Sequence, residues 1–428
     1  MGARQLLYDC KRHAAAHTSE YLFNQLIPYI GNKRKLLGLI HRAIQRTGAG
    51  GGTFVDFFAG SGVVARLAKL LGYRVVANDW EPYAAVLNRC YIACNRPPAF
   101  ETLGGYERTI ERLNRLPPKV GWVAEHLCPR DDENYDVSRD RMFYMRKNGM
   151  RIDAVRERIA AWKDAGQLTD IEEACLLAPL IYQACYRSNT SGVFKGFHNG
   201  WGGQTGTALH RIAGDLRLDR PVFFDNGQDN RGFREDAQSL AERLSSQEID
   251  IAYLDPPYNQ HPYGSNYHVL NSVVLWDKPP LSREIVRGTK AAIRLDWRTE
   301  RRSAYNYKGE AVRAYRRLLG TINARHILTS YSTDGMIPLG ELLRCNVERG
   351  RVSIEMQGYK RYRVSSQRFS KKPMNVEFVL IVDTRHKSDV SAVQLKKTIR
   401  KHESQVLDAH PECRKSDRQQ GVLFCSGL

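Results

Sequence analysis

Asp255, Pro256, Pro257 and Tyr258 stand together at the end of an apolar run that begins at Ile249. Neither proline can donate a ladder hydrogen bond, so a strand reaching Leu254 must end there. A carboxylate and a rigidly directed carbonyl at a strand end could accept the two hydrogens of an exocyclic aromatic amine. Such an amine is a poor nucleophile while its lone pair conjugates with the ring. Two acceptors would draw the nitrogen toward a tetrahedral, nucleophilic form. In this reading Asp255 is the first acceptor, the carbonyl of Pro256 is the second, and Tyr258 is the aromatic face for a base flipped from a duplex. The plainer alternative is a proline-rich turn.

A second constellation lies earlier in the chain. In "FVDFFAGSGVVARL", Gly60, Ser61 and Gly62 separate a predicted strand from a predicted helix. Glycine there lets the backbone approach a ligand, and the helix start offers free N–H groups. The dinucleotide fingerprint GxGxxG is absent. Asp79 closes the next strand, in "VVANDWEP", where an acid can accept both ribose hydroxyls of an adenosine. Asp236, ahead of a further helix, could accept from an adenine amino group. Both acids could instead cap helices. "YIGNKRKLLGLI" is a glycine turn with a basic helix start, from which Lys33 could pair with a carboxylate.

These residues need a scaffold, and the periodicity supplies one. "GAGGGT" admits a strand, "TFVDFFAG"; a helix, a strand in "YRVVAND" and a helix from about Pro82 to Asn95 follow. That rhythm predicts an α/β, doubly wound Rossmann-like sheet. It breaks at "NRPPAF" and resumes at "PVFFDNG", with a helix near 236–246 before the strand that ends at Asp255. A helix around 309–322, a strand in "RHILTSY" and two late strands, "RVSIEMQ" and "NVEFVLIV", complete the sheet. The expected organisation is an arm at 1–20, a catalytic domain at 21–95 and 216–385, a mainly helical inserted recognition domain at 96–215, and a charged tail at 386–428. "NQHPYGSNYHVLNSVVLWD", after the prolines, is a candidate lid or groove wall.

At 428 residues with 42% hydrophobic content, the chain can bury a catalytic core and a substantial insertion. Lys and Arg outnumber Asp and Glu by 65 to 46, a net +19. That balance favours a polyanionic partner, because each neutralised phosphate releases counterions. Aromatics interleave the basic clusters of the insertion: Arg141, Arg146 and Lys147 in "RDRMFYMRKNG", and Arg187, Lys195 and His198 in "CYRSNTSGVFKGFHNG". These six are the candidate DNA contacts. Nine cysteines without regular spacing suit a reducing cytosol, and Cys90 with Cys94 lacks the second close pair of a zinc site, so no metal is expected. The N-terminus has no apolar signal region and no run of about 18 apolar residues spans a membrane.

Taken in order, "YIGNKRKLL", "FVDFFAGSG", "ANDWEP" and "LDPPY" resemble the motifs of the D12-class adenine-N6 DNA methyltransferases, the group that includes the DNA adenine methylase family. "ARHILTSYSTDGMI" and "VSSQRFSKKPMNVEFVLIV" are similar to its later strand and terminal hairpin. The resemblance implies S-adenosylmethionine as cofactor, with contacts at Tyr29, Lys33, Asp79 and Asp255, and Asp56, Phe58, Gly60, Gly62 and Asp236 as further candidates. It implies double-stranded DNA as substrate, a bacterial or phage cytoplasmic setting, a monomer or weak dimer, and a restriction or phage-defence system as companion. The family's Asn-Val-Pro-Phe-Gly stretch is missing from the insertion, which implies a different DNA target. The runners-up are an RNA adenine methyltransferase on the same clamp and a catalytically silent DNA-binding regulator.

Overall fold

Thr53–Asp56 (β1) and Arg74–Asn78 (β2) are short, mostly buried runs rich in valine and aromatic residues, of the kind that suits interior parallel strands. The computed structural model describes residues 15–204, 206–282, 285, 290–360 and 374–409. It divides into two compact units. The first runs up to Leu37 and then takes in Gly51–Leu240 and His261–Ser303; the second takes in Gly38–Gly50, Ala241–Gln260 and the chain from Ala304 on.

In the first unit, β1, β2 and Arg231–Phe233 (β3) lie in the order β3-β2-β1, all parallel. Thr53 pairs with Arg74 and Val76 with Arg231. Helices Val63–Leu70 and Pro82–Asn88 follow β1 and β2. The latter runs on into a π-helical turn over Arg89–Ala93. The α/β pattern resumes later than "PVFFDNG" predicts. That stretch is a turn, in which Asp225 accepts the Gly227 N–H at 2.9 Å and Asn226 donates to the carbonyls of Lys69 and Tyr73.

Within 96–215 the described residues form helices and no strand, the longest being Arg146–Asp164 and Asp170–Tyr186. A reciprocal capping box of Thr169 and Glu172 starts the second of these. The insertion does not keep a core of its own. Its Phe143, Ile152, Leu176 and Ile181 join one hydrophobic cluster with Tyr83 and Leu87 and with Tyr267, Leu270 and Val273. The expected lid is therefore part of that interior. Its helices Tyr263–Asn266 and His268–Leu275 bury Tyr267 and Asn271 completely.

In the second unit, Ile249–Leu254 (β4), Ala324–Ser332 (β5), Arg351–Lys360 (β6) and Met374–Asp383 (β7) lie in the order β4-β5-β7-β6. β4 and β5 are parallel, whereas β7 runs antiparallel to both β5 and β6. Helix Lys308–Thr321 precedes β5, and part of the segment expected as a charged tail forms the helix Ala392–Asp408, opened by a capping box of Ser391 and Gln394. Parallel sheet in both units, an antiparallel terminal hairpin and a helical insertion make this a mixed α/β protein of Rossmann-like type. Among the described residues no helix is long and apolar enough to cross a membrane.

Candidate active site

The glycine loop is built around Asp79. This acid follows β2, and its Oδ2 accepts the Gly60 N–H at 2.8 Å while Oδ1 accepts the Glu81 N–H at 2.9 Å. Burial pushes the Asp79 carboxyl up to about 6, although the N–H groups of Glu81, Gly60 and Trp80 favour its ionised form. Gly60 has φ +51, and a Cβ there would stand 2.9 Å from the ring of Tyr29. Gly62, at φ +78, would place a Cβ 2.7 Å from Asn88 Oδ1. Both positions therefore exclude side chains on two counts. Asp56, at the end of β1, is buried and accepts the Phe58 N–H at 3.3 Å. Phe58 is half-buried on the same loop.

Tyr29 belongs to the same unit and lies in a cluster of tyrosines. Its ring is nearly parallel to those of Tyr263, at 5.1 Å, and Tyr267, at 5.0 Å, with Tyr83 tilted against Tyr267 at 5.3 Å. Burial and the adjacent tyrosines hold the Tyr29 phenol well above its ordinary value, so it stays a donor. Lys33 is buried and its ammonium donates to the Gly31 carbonyl at 3.3 Å. Asp236 accepts the N–H groups of Gln238 at 2.9 Å and Ser239 at 3.3 Å, the cap of helix Ala237–Arg243. Glu81 was not singled out by sequence. It accepts from Asn271 at 2.7 Å, lies 3.5 Å from the buried Arg301 guanidinium, and is pushed by burial up to about 7.

In the second unit, β4 ends at Leu254 as the prolines require, which leaves Asp255 half-buried and Pro256 buried. Tyr258 packs edge-on against Tyr331 of β5, with centroids 5.8 Å apart at 71°. The Tyr258 carbonyl accepts the Met336 N–H at 3.1 Å, and the Tyr331 hydroxyl accepts the Ile337 N–H at 2.9 Å. Asn306 donates to the Asn259 carbonyl at 2.7 Å. The loop after the strand is thus held at consecutive residues, so the aromatic face of Tyr258 has a defined direction.

The six basic candidates of the insertion have different surroundings. Arg141 is buried and donates to the carbonyls of Lys290 and Ser282. Arg146 donates to those of Ala124 and Pro129, and Arg187 to that of Arg211. These three guanidiniums brace loops. Lys147 is exposed and pairs with Asp215 at 2.7 Å. Lys195 lies 3.4 Å from His261 Nδ1. His198 lies over Gly203 and donates its N–H to the Asn189 carbonyl. Asn189 organises this loop: its amide donates to the carbonyls of Met142, His198 and Gly200, and its Oδ1 accepts the Gly202 N–H.

Sequence reasoning missed Tyr83, Glu81, Tyr263, Tyr267, Asn271 and Tyr331. One signal was available, because Tyr263, Tyr267 and Asn271 recur every four residues, the spacing of one helical face. Cys94 Sγ lies 3.6 Å from Cys175 Sγ, and among the described residues no group of three or more His, Cys, Asp or Glu could hold a metal ion.

The profile of the D12 class N6 adenine-specific DNA methyltransferases matches residues 29–296. Type II methyltransferase M.NlaIII of Neisseria lactamica is 30% identical over 340 residues, 78% of this chain and 92% of that protein. Modification methylase StsI of Streptococcus sanguinis is 32% identical over 78% of this chain and 48% of its own length. Modification methylase LlaI of Lactococcus lactis subsp. lactis is 29% identical over 82% and 54% respectively. The chain thus spans about half the length of these last two relatives. No solved structure matches it. The matched span runs from the Tyr29 loop through Asp79 to beyond the Asp255–Tyr258 motif, and by that match the chain belongs to the D12 class of N6 adenine-specific DNA methyltransferases.

Proposed function

We propose that the chain transfers a methyl group from S-adenosylmethionine to N6 of an adenine flipped out of duplex DNA, at a specific site. The observation that carries this reading is the end of β4 at Leu254, followed at once by Asp255, Pro256 and Tyr258, with Tyr258 fixed by Tyr331 and Met336. When bound, the cofactor supplies an electrophilic methyl group on a cationic sulfur.

The donor set fits that group. Asp79 offers an acceptor for ribose hydroxyls at the carboxyl end of a parallel strand, and Gly60 and Gly62 keep side chains away from the backbone beside it. Tyr29, Lys33, Asp56 and Phe58 support the loops on either side, and Asp236 is the candidate for the adenine amino group. Asp255 and the Pro256 carbonyl each accept one hydrogen of the target amine, which frees its lone pair for attack. Tyr258 stacks on the base. Forming the N–C bond would break the methyl–sulfur bond and release a neutral thioether, and one amine proton would leave along its hydrogen bond to Asp255 and pass to solvent.

Duplex DNA as substrate is supported by the +19 charge and by Lys147, Lys195 and His198 of the insertion. The relatives named as modification methylases support a companion restriction activity in the cell. The test offers tritium-labelled methyl donor with duplex DNA, single-stranded DNA and RNA in parallel, followed by nucleoside analysis. Label in N6-methyladenine from duplex is the expected result. Label only in RNA would replace the substrate, and no transfer to any of them would leave the silent regulator.

A further inference from the structure

Tyr263 and Tyr267 follow the catalytic motif along the chain, and both reach back to the backbone of one residue of the first cofactor loop. The Tyr267 hydroxyl accepts the Ile30 N–H at 2.7 Å, and the Tyr263 hydroxyl donates to the Ile30 carbonyl at 3.2 Å. Both polar groups of a single residue are thereby satisfied by two side chains four residues apart, one opening helix Tyr263–Asn266 and the other at the junction with helix His268–Leu275. Their rings complete the grip. Tyr29, Tyr263 and Tyr267 form a triangle of nearly parallel rings, with Tyr263 and Tyr267 6.3 Å apart. Aromatic contacts of this kind add to simple burial and fix orientation.

The contacts then run onward. The Tyr83 hydroxyl donates to the Tyr29 hydroxyl at 3.3 Å, and the Tyr29 ring occupies the space that a side chain at position 60 would need. Gly60 in turn donates to Asp79. One turn beyond Tyr267, Asn271 donates to Glu81 at 2.7 Å and accepts the Tyr83 N–H at 3.3 Å. The segment therefore holds the loop at Tyr29–Gly31 and the loop at Asp79–Tyr83 together.

We infer that Tyr263 and Tyr267 are positioning residues for the cofactor: their hydroxyls fix the two peptide groups that flank the Ile30 Cα, and through them the placement of Tyr29 against the Gly60–Asp79 contact. Neither side chain acts on the methyl group. A loop held in this way needs little further ordering when its ligand arrives, so the grip contributes to affinity for the cofactor rather than to the rate of transfer. This inference rests on the reading of S-adenosylmethionine as the bound group.

The test compares the full-length chain with Tyr267→Phe, Tyr263→Phe and the double variant, which keep all the rings. Cofactor affinity is measured by calorimetry, duplex affinity without cofactor by anisotropy, and stability by thermal melting. Loss of the Tyr267 hydroxyl strips the Ile30 N–H of its partner, so Kd and KM for S-adenosylmethionine should rise about tenfold, with a smaller rise for Tyr263→Phe. At saturating cofactor kcat should stay within about twofold of the parent, since the missing contact is made equally before and during transfer. Duplex affinity should not change. Parental cofactor affinity in the double variant overturns the inference. So does a parallel loss of cofactor affinity, duplex affinity and melting temperature, which would mark a purely structural brace. If the unaltered chain itself fails to bind S-adenosylmethionine, the underlying reading of the cofactor fails, a result distinct from either.

Discussion

The Asp79 carboxylate accepts the backbone N–H of Gly60 at 2.8 Å, so the acid that ends β2 is tied directly to the glycine loop that follows β1. Its second oxygen takes the Glu81 N–H. Two parallel strands thus deliver their carboxyl-end loops to one side chain.

Asp79 should make cofactor binding pH-dependent. Burial disfavours its charge and pushes its carboxyl up to about 6. That value exceeds the unfolded one, so the folded chain holds the proton more tightly, and this residue's contribution to stability falls as pH rises from the ordinary carboxylate range to about 6. Two ribose hydroxyls donating to the ionised form oppose that penalty. Affinity for S-adenosylmethionine should therefore rise as pH is raised through about 6 and level off above it. Asp79→Asn should flatten the profile and weaken binding by roughly 1.5–3 kcal/mol for a lost charged acceptor. Calorimetry across this range that shows the same slope in both proteins would assign the acid to loop support alone.

Asp255→Ala should abolish most methyl transfer and spare duplex affinity. One acceptor lost from a clamp that matters in the transition state should lower the rate by on the order of 10²–10⁴. Asp255→Asn should also be severely impaired, because it offers a neutral acceptor where the amine develops positive charge. Single-turnover rates on one duplex give the comparison, and full activity in either variant would rule out the clamp.

Tyr258→Phe should retain far more activity than Tyr258→Ala. The ring is held edge-on by Tyr331, and stacking of a flipped base needs the ring rather than the hydroxyl. Base–aromatic stacking of about 1–3 kcal/mol sets the expected loss for the alanine variant. Equal loss in both variants would point to the hydroxyl.

The basic residues of the insertion should separate into two groups. Lys147→Ala and Lys195→Ala should weaken binding to all duplexes alike and reduce the salt dependence by about one unit of slope per lost phosphate contact. The exposed Lys147–Asp215 pair is no obstacle, because such surface pairs contribute only about 0–1 kcal/mol. Arg141→Ala should instead lower the melting temperature, since the buried guanidinium serves the carbonyls of Lys290 and Ser282. Unaltered salt slopes for both lysine variants would place phosphate contact on another surface.

The sequence by itself determined the strand ends. Pro256 and Pro257 forbid further ladder pairing, so β4 stops at Leu254 wherever the chain folds. Gly60 and Gly62 adopt positive φ as a strand-to-helix turn demands, and Asp79 follows its strand. Local covalent rules suffice for such features, which is why the motifs could be recognised in order. Tertiary structure alone decided what the remaining polar groups face. Arg141, Lys147 and Lys195 look alike as letters in basic-aromatic runs, yet burial turns the first into a brace and leaves the second at the surface. The segment after Tyr258 reads as a candidate lid or groove wall. It is interior because Tyr263 and Tyr267 meet the backbone of Ile30, more than 200 residues earlier in the chain. A pairing over that separation depends on how whole elements pack, and no local propensity encodes it.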